Sequence, residues 1–151
     1  MIDLKIGFNY PKFDGLPEEL HDAIAEKLID QTYSLYQKVM RNVEGAVLNR
    51  KTGQLAESIE IHVTTSTEPM VGWVGPVPAS PKAWALEVGG KGSYYIPLGK
   101  VGVLANKETG FFSRTGVTHP PMRARHYLQL ALDDINASEE FISAIDGALE
   151  L

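Results

Sequence analysis

The sequence predicts an α+β chain, and three patterns carry that prediction. An apolar stripe of helical period runs through residues 17–48. Alternating, β-branched segments follow between residues 55 and 120. A helical pattern returns after a diproline and fills residues 124–151. With 151 residues the chain is long enough for one domain with a sizeable core.

Residues 1–16 read as a strand or arm. Leu4, Ile6 and Phe8 alternate with Asp3, Lys5 and Gly7, and Pro11 and Gly15 punctuate the exit. Pro17 suits a first helical turn, with Glu18, Glu19 and Asp22 near the positive end of the dipole. Leu20, Ile24, Leu28, Leu35, Val39 and Val43 then form one face, widened by Tyr33, Tyr36 and Met40. A helix over 17–48 would be about 45 Å long, enough to cross a sheet or reach a neighbouring subunit.

The β region opens with Ser58–Thr64, which alternates apolar and polar residues. Glu68-Pro69 marks a turn, and Val71–Gly75 is the paired return strand. Pro78 and Pro81 exclude a central strand over 77–82. Ala83–Val88 suits a helical turn. The long segment 89–116 is glycine-rich, with short strand candidates at Tyr94–Leu98, Val101–Leu104 and Phe111-Phe112. It is expected to be a mobile assembly loop. Pro120-Pro121 ends the β region. A helix is expected from about Ala124 to Ile135, with Tyr127, Leu128 and Leu132 as core anchors. Asn136 with Glu139 forms a capping-box pattern for a second helix carrying Phe141, Ile142, Ile145, Ala148 and Leu149.

Composition narrows the class of function. No apolar run approaches the ~20 residues that cross a bilayer, so no membrane partner is expected. The start Met1-Ile2-Asp3-Leu4-Lys5 lacks the layout of a signal peptide. The absence of cysteine excludes disulfides, thiol catalysis and cysteine-bound zinc. It fits a reducing cytoplasm or a particle assembled there. The net charge is −5, but it is unevenly spread. Lys82 to Arg125 holds seven basic and two acidic residues, and the rest holds seven basic and seventeen acidic ones. A two-signed surface of that kind suits docking to charged neighbours. A duplex-DNA reader is disfavoured by the acidic total.

No catalytic signature emerges. Gly89-Gly90-Lys91-Gly92-Ser93 does not have the glycine–lysine order of a phosphate loop. His21, His62, His119 and His126 show no metal-ligand spacing, and no serine sits in a nucleophile elbow. Glu87 and Glu108 are conceivable as an acid/base pair, but a solvated or salt-bridged role is the simpler expectation. Trp73 and Trp84 read as core or interface anchors. No catalytic, cofactor or metal site is therefore expected.

The order of motifs resembles the phage tail-completion, or head–tail joining, family, which includes lambda-type minor tail proteins. Thr52-Gly53-Gln54-Leu55 with Ser58-Ile59 is similar to that family's T-G-x-L-x-x-S-I entry into its sheet. Val71–Gly75 resembles its return strand. Ala83–Gly89 resembles a Y-A-x-x-x-E-x-G segment, with Glu87 at the acidic position. Tyr95-Ile96-Pro97, then Phe111-Phe112 and Val117-Thr118-His119-Pro120, resemble the following I-x-P and V-F … V-x-H-P blocks. Ala124–Leu128 with Ala131-Leu132 resembles an A-R-P-F-L … A-L helix start. The likeness covers residues 17–133. Trp84 replaces the usual tyrosine, and His126 stands at the usual proline.

The resemblance implies a small, mostly antiparallel sheet packed by the long N-terminal helix and by C-terminal helices. It implies a non-enzymatic virion protein of the neck or tail, assembled in the host bacterial cytoplasm as a ring, typically sixfold. The implied partners are further copies of the chain, a head connector or adaptor, and a tail terminator or tail-tube protein. Genomic DNA would pass through the lumen without specific binding, and an acidic total suits passage. The expected interface comprises Lys91, Tyr94, Tyr95, Lys100, Lys107, Arg114, Arg123 and Arg125. Arg123 and Arg125 are expected to meet the acidic C-terminal segment of the next subunit. Alternatives are a tail terminator or tail-tube-related protein, a small cytoplasmic enzyme using Glu87 and His119, and a nucleic-acid-binding module.

Overall fold

In the computed structural model, the described residues are 5–10, 15, 17–48, 53–66, 69–90, 92–99, 102–135 and 143. Their architecture is α+β. A three-stranded sheet is made by β1 (Ile6–Tyr10), β2 (Ile59–Thr64) and β3 (Met70–Pro76), and β3 lies in the centre. Both pairings are antiparallel, with Phe8 opposite Gly72 and Ile61 opposite Val74. The N-terminal strand is therefore an integral edge of the sheet, and its apolar alternation is the reason: Phe8 is buried while Gly7 and Asn9 point the other way.

Helix α1 (Glu18–Arg41) crosses one face of this sheet. Ile24, Leu28, Leu35 and Val39 are buried along it, as the stripe predicts. Its close approach depends on Gly72, because a Cβ there would lie 2.0 Å from Thr32 Oγ1. Thr32 turns its hydroxyl onto the Leu28 carbonyl, 2.6 Å away, and is satisfied within the core. The expected helix over 17–48 is shortened. It gives way at Asn42–Ala46 to one π-helical turn, which buries Val43 and ends before Leu48.

The β region contains two helices. Gln54–Ser58 is a short helix, α2, entered through Gly53 at φ 77°, so the strand starts at Ile59 and not at Ser58. Pro81–Val88 is helix α3, capped by Ser80, whose Oγ accepts from Ala83 N at 3.1 Å. Segment 89–116 is no structureless loop. It holds β4 (Tyr94–Ile96), β5 (Leu104–Asn106) and β6 (Phe111–Ser113), and β7 (Val117–His119) closes it. Helix α4 runs over Tyr127–Asp133, three residues later than expected. The second C-terminal helix and Thr52 of the sheet-entry motif lie outside the described residues.

Candidate interaction site

The segment from 92 to 119 folds into a β-arm. β4 pairs antiparallel with β7, and β5 pairs antiparallel with β6 further out, so one short ladder is nested inside another. The turn at the tip is closed by Asn106, whose Oδ1 accepts from Glu108 N at 3.0 Å. Neither ladder joins the three-stranded sheet. A two-stranded hairpin alone is marginal in water, because it lacks a face to bury. Here the missing cover is visible as exposed aromatics. Tyr95 is 63% and Phe112 59% exposed, and Tyr94 and Phe111 are about half exposed. Adjacent strand residues point to opposite faces, so Phe111 and Phe112 put an aromatic on each side of the tip.

Local contacts stiffen the arm. Tyr94 stacks on His119 with ring centroids 5.0 Å apart. Tyr95 lies across Gly116, where a Cβ would meet the phenol oxygen at 1.8 Å. The Arg114 guanidinium sits 5.8 Å from the Phe112 ring centroid. Lys107 is exposed at the tip. The structure thus brings Tyr94, Tyr95, Lys107 and Arg114 onto one arm, while Lys91 and Lys100 lie outside the described residues.

Arg123 and Arg125 belong to a different feature. Residues 120–126 run without helix or strand beside α3, with Arg125 N donating to Leu86 O at 2.7 Å and His126 N to Glu87 O at 3.2 Å. α4 starts only at Tyr127, because His126 holds a left-handed backbone that a right-handed helix through Ala124 could not contain. His126 turns the chain with a left-handed φ of 50° and offers no side-chain cap. The cap comes from α3 instead. Glu87 is 7% exposed, and its carboxylate accepts from Leu128 N at 2.9 Å and Gln129 N at 3.0 Å. A carboxylate at a helix N-terminus satisfies orphan amides and complements the dipole. Glu87 is therefore neither solvated nor paired with Glu108, which lies at the arm's tip. His119, its imagined catalytic partner, is on the arm, stacked on Tyr94.

α1 holds the rest of α4. Asn42 Nδ2 donates to Tyr127 O at 2.9 Å, and Lys38 Nζ donates to Asp134 O at the far end. Tyr127, Leu128 and Ala131 are fully buried, and Leu132 is half-buried against the same core. The Tyr127 hydroxyl has no hydrogen-bond partner among the described residues. Burial first, and then the nearby Glu87 charge, push its phenol well above the usual tyrosine range.

The tryptophans are not core anchors. Trp73 faces away from α1 on the outer side of the sheet, where His62 stacks on it at 5.3 Å and Lys5 Nζ lies 4.2 Å from its ring centroid. Trp84 is exposed on α3. Trp73 sits on β3 one residue out of phase with the buried Gly72 and Val74, which sends it to the opposite face.

A cleft of about 640 Å³ opens between the end of α1, α2 and α3. Val43, Leu48, Leu55, Ala56, Ala83 and Leu86 line it, and Lys82 and Arg125 stand at it. Among the described residues no cluster of three or more His, Cys, Asp or Glu side chains is placed to hold a metal ion, and no helix is long and apolar enough to cross a membrane.

Sequence reasoning missed the Glu87 cap and the cleft. A signal for the cap exists: the helix pattern at Tyr127 has no Ser, Thr, Asp or Asn immediately before it, so its first amides need an acceptor from elsewhere. The cleft has no linear signature, since its walls come from distant parts of the chain. Fold and site together define a small α+β body bearing a protruding aromatic β-arm. No protein-family model, curated protein or solved structure matches the chain.

Proposed function

We propose that this chain is a structural virion protein of a tailed bacteriophage, a tail-completion or head–tail joining protein that forms a ring in the neck. The observation that carries the reading is the β-arm: a nested hairpin with aromatics exposed on both faces and no partner sheet among the described residues. Surface of that kind is stabilised by a partner that covers it. A heterologous contact between an arm and the next subunit's body repeats around an axis and closes a ring. The ordered motifs over residues 17–133 support the same reading. The rigid α+β body supports it too, because α4 is tied at both ends and holds the arm's base segment in place. The chain's net charge of −5 suits a lumen that DNA slides through.

Immunogold labelling of tailed particles from a strain producing the chain tests this. Label at the head–tail junction is the expected result. Label on the upper end of headless tails would move the assignment to a tail terminator, and particles free of label would sink it. In the same system, Phe111→Ser with Phe112→Ser should abolish incorporation while leaving the folded body intact.

A further inference from the structure

The β-arm carries its aromatics on a basic element. Its sequence from 92 to 119 holds Lys100, Lys107 and Arg114 against one acid, Glu108. Phe112 defines one face of the tip. Arg114, two residues on, lies over the same ring. Ala105 stands opposite Phe112 on the paired strand, and its small side chain leaves the ring open. A surface that covers this face should be apolar at its centre and acidic around it.

The side of α1 turned away from the sheet is such a surface. Ile29 is 39% and Tyr33 54% exposed there, on a helix whose other side is the core. Asp22, Glu26 and Asp30 surround them, and all three are exposed. At about 100° per residue these five positions fall within roughly a third of the circumference, opposite Leu28 and Leu35. The face is about 17 Å long, enough for a two-stranded tip whose strands lie about 5 Å apart. The helix dipole accounts for Glu18 and Glu19 in the first turn, but its effect has fallen off by Glu26 and Asp30. Asp22, Glu26 and Asp30 are instead like charges at four-residue steps, which repel one another along the helix. Among the described residues Glu26 and Asp30 form no ion pair, and Asp22 meets His21 at 3.8 Å. A cationic neighbour offsets that repulsion.

We infer that the outward face of α1 is the docking site for the β-arm of a second copy of this chain. Phe112 packs on Ile29 and Tyr33, and Arg114 reaches Glu26 and Asp30. Both patches are exposed within one copy, so neither covers the other in the same chain. They lie on different elements, so the contact is head-to-tail, and repetition of such a contact builds a ring or a filament. The inference rests on the reading of the arm as an intersubunit contact and adds the surface that the arm meets.

The chain has no cysteine, so introduced thiols report this contact in the full-length protein. Gln37→Cys places one on the α1 face, a turn beyond Tyr33, and Ala105→Cys places one beside Phe112. Glu60→Cys, on the outer side of the sheet away from α1, is the control. Mixed under oxidised glutathione, the Gln37→Cys and Ala105→Cys proteins should form a disulfide-linked pair about tenfold faster, or more, than the Glu60→Cys and Ala105→Cys proteins. Reversing charge on one side, with Glu26→Lys and Asp30→Lys on the first protein or Arg114→Glu on the second, should return the rate to the control. Reversing both sides together should restore it, and raised salt should slow the wild-type pairing as ionic attraction is screened. Equal rates in the two mixtures would overturn the inference. Ala105→Cys linking to itself as fast as to Gln37→Cys would also overturn it, because arm would then meet arm. Gold label at the head–tail junction with equal rates would leave the neck reading standing and remove this docking face; fast linkage without label would do the reverse.

Discussion

Replacing Glu87 with alanine should unfasten α4. The carboxylate accepts from two amides at the start of that helix, Leu128 N at 2.9 Å and Gln129 N at 3.0 Å. The residue before the helix, His126, supplies no cap of its own. Leu128 is fully buried, so its amide loses the Glu87 acceptor in a place water does not reach, a cost of about 1–3 kcal/mol. Gln129 is exposed, and its amide can turn to solvent, so the second bond is worth about 0.5–1 kcal/mol. Loss of negative charge at the dipole adds about 0.5 kcal/mol. The carboxylate's own desolvation cost is recovered in part. The expected loss is then about 3 kcal/mol, or roughly 6–12 °C in Tm for a chain of this size. Glu87→Gln keeps one acceptor oxygen but turns an NH2 group toward the second amide, so about half the loss is expected. Urea denaturation followed by circular dichroism measures both, and the midpoint should fall with the slope unchanged. Ser80→Ala, which removes the local cap of α3, is the comparison at about 1 kcal/mol. A Glu87→Ala loss below about 0.5 kcal/mol would refute the reasoning, since it would mean that α4 holds its register without the carboxylate.

Three further outcomes test the packing. Leu128→Ala should cost about 2–5 kcal/mol, because Leu128 is fully buried between α4 and the body; thermal denaturation reads it. Gly72→Ala should cost about 1–3 kcal/mol by driving a methyl into Thr32 Oγ1, and combining it with Thr32→Ala should cost less than the two losses added. Tyr127→Phe deletes a buried hydroxyl without a partner among the described residues and should be neutral or stabilising by about 1 kcal/mol. Because burial and then Glu87 raise the Tyr127 phenol, the folded state keeps a proton that the unfolded chain releases near pH 10. Its contribution is intact below about pH 10 and is lost as the pH rises further. Denaturation midpoints across alkaline pH should therefore fall more steeply in the wild-type protein than in the phenylalanine variant.

The long helix, the β2–β3 hairpin and the buried face of α4 were legible in the sequence, because each depends on local periodicity. Leu28, Leu35 and Val39 fall on one side of any helix that contains them, whatever lies opposite. The same holds for Phe8 in β1 and for Tyr127 and Leu128 in α4. Aromatic content in segment 89–116 was legible too, although its pairing was not. A three-residue strand carries little pattern, and only the partner strand decides whether Leu104–Asn106 is loop or ladder.

The tertiary structure alone decided where polar and outward-facing groups went. A glutamate sequence-adjacent to Val88 looks like any solvated acid until α3 is set beside Leu128, 41 residues away. Trp73 has the composition of a core anchor, yet the phase set by Gly72 and Val74 sends it to the sheet's outer face. Arg125 is one basic residue among seven in its segment until the bond from its amide to Leu86 brings it to the cleft. Hydrophobic burial is nearly directionless and follows the period of the backbone, so a linear sequence determines it. Hydrogen bonds need a donor and an acceptor within about 3 Å and in line, and only the assembled fold brings distant residues to such positions.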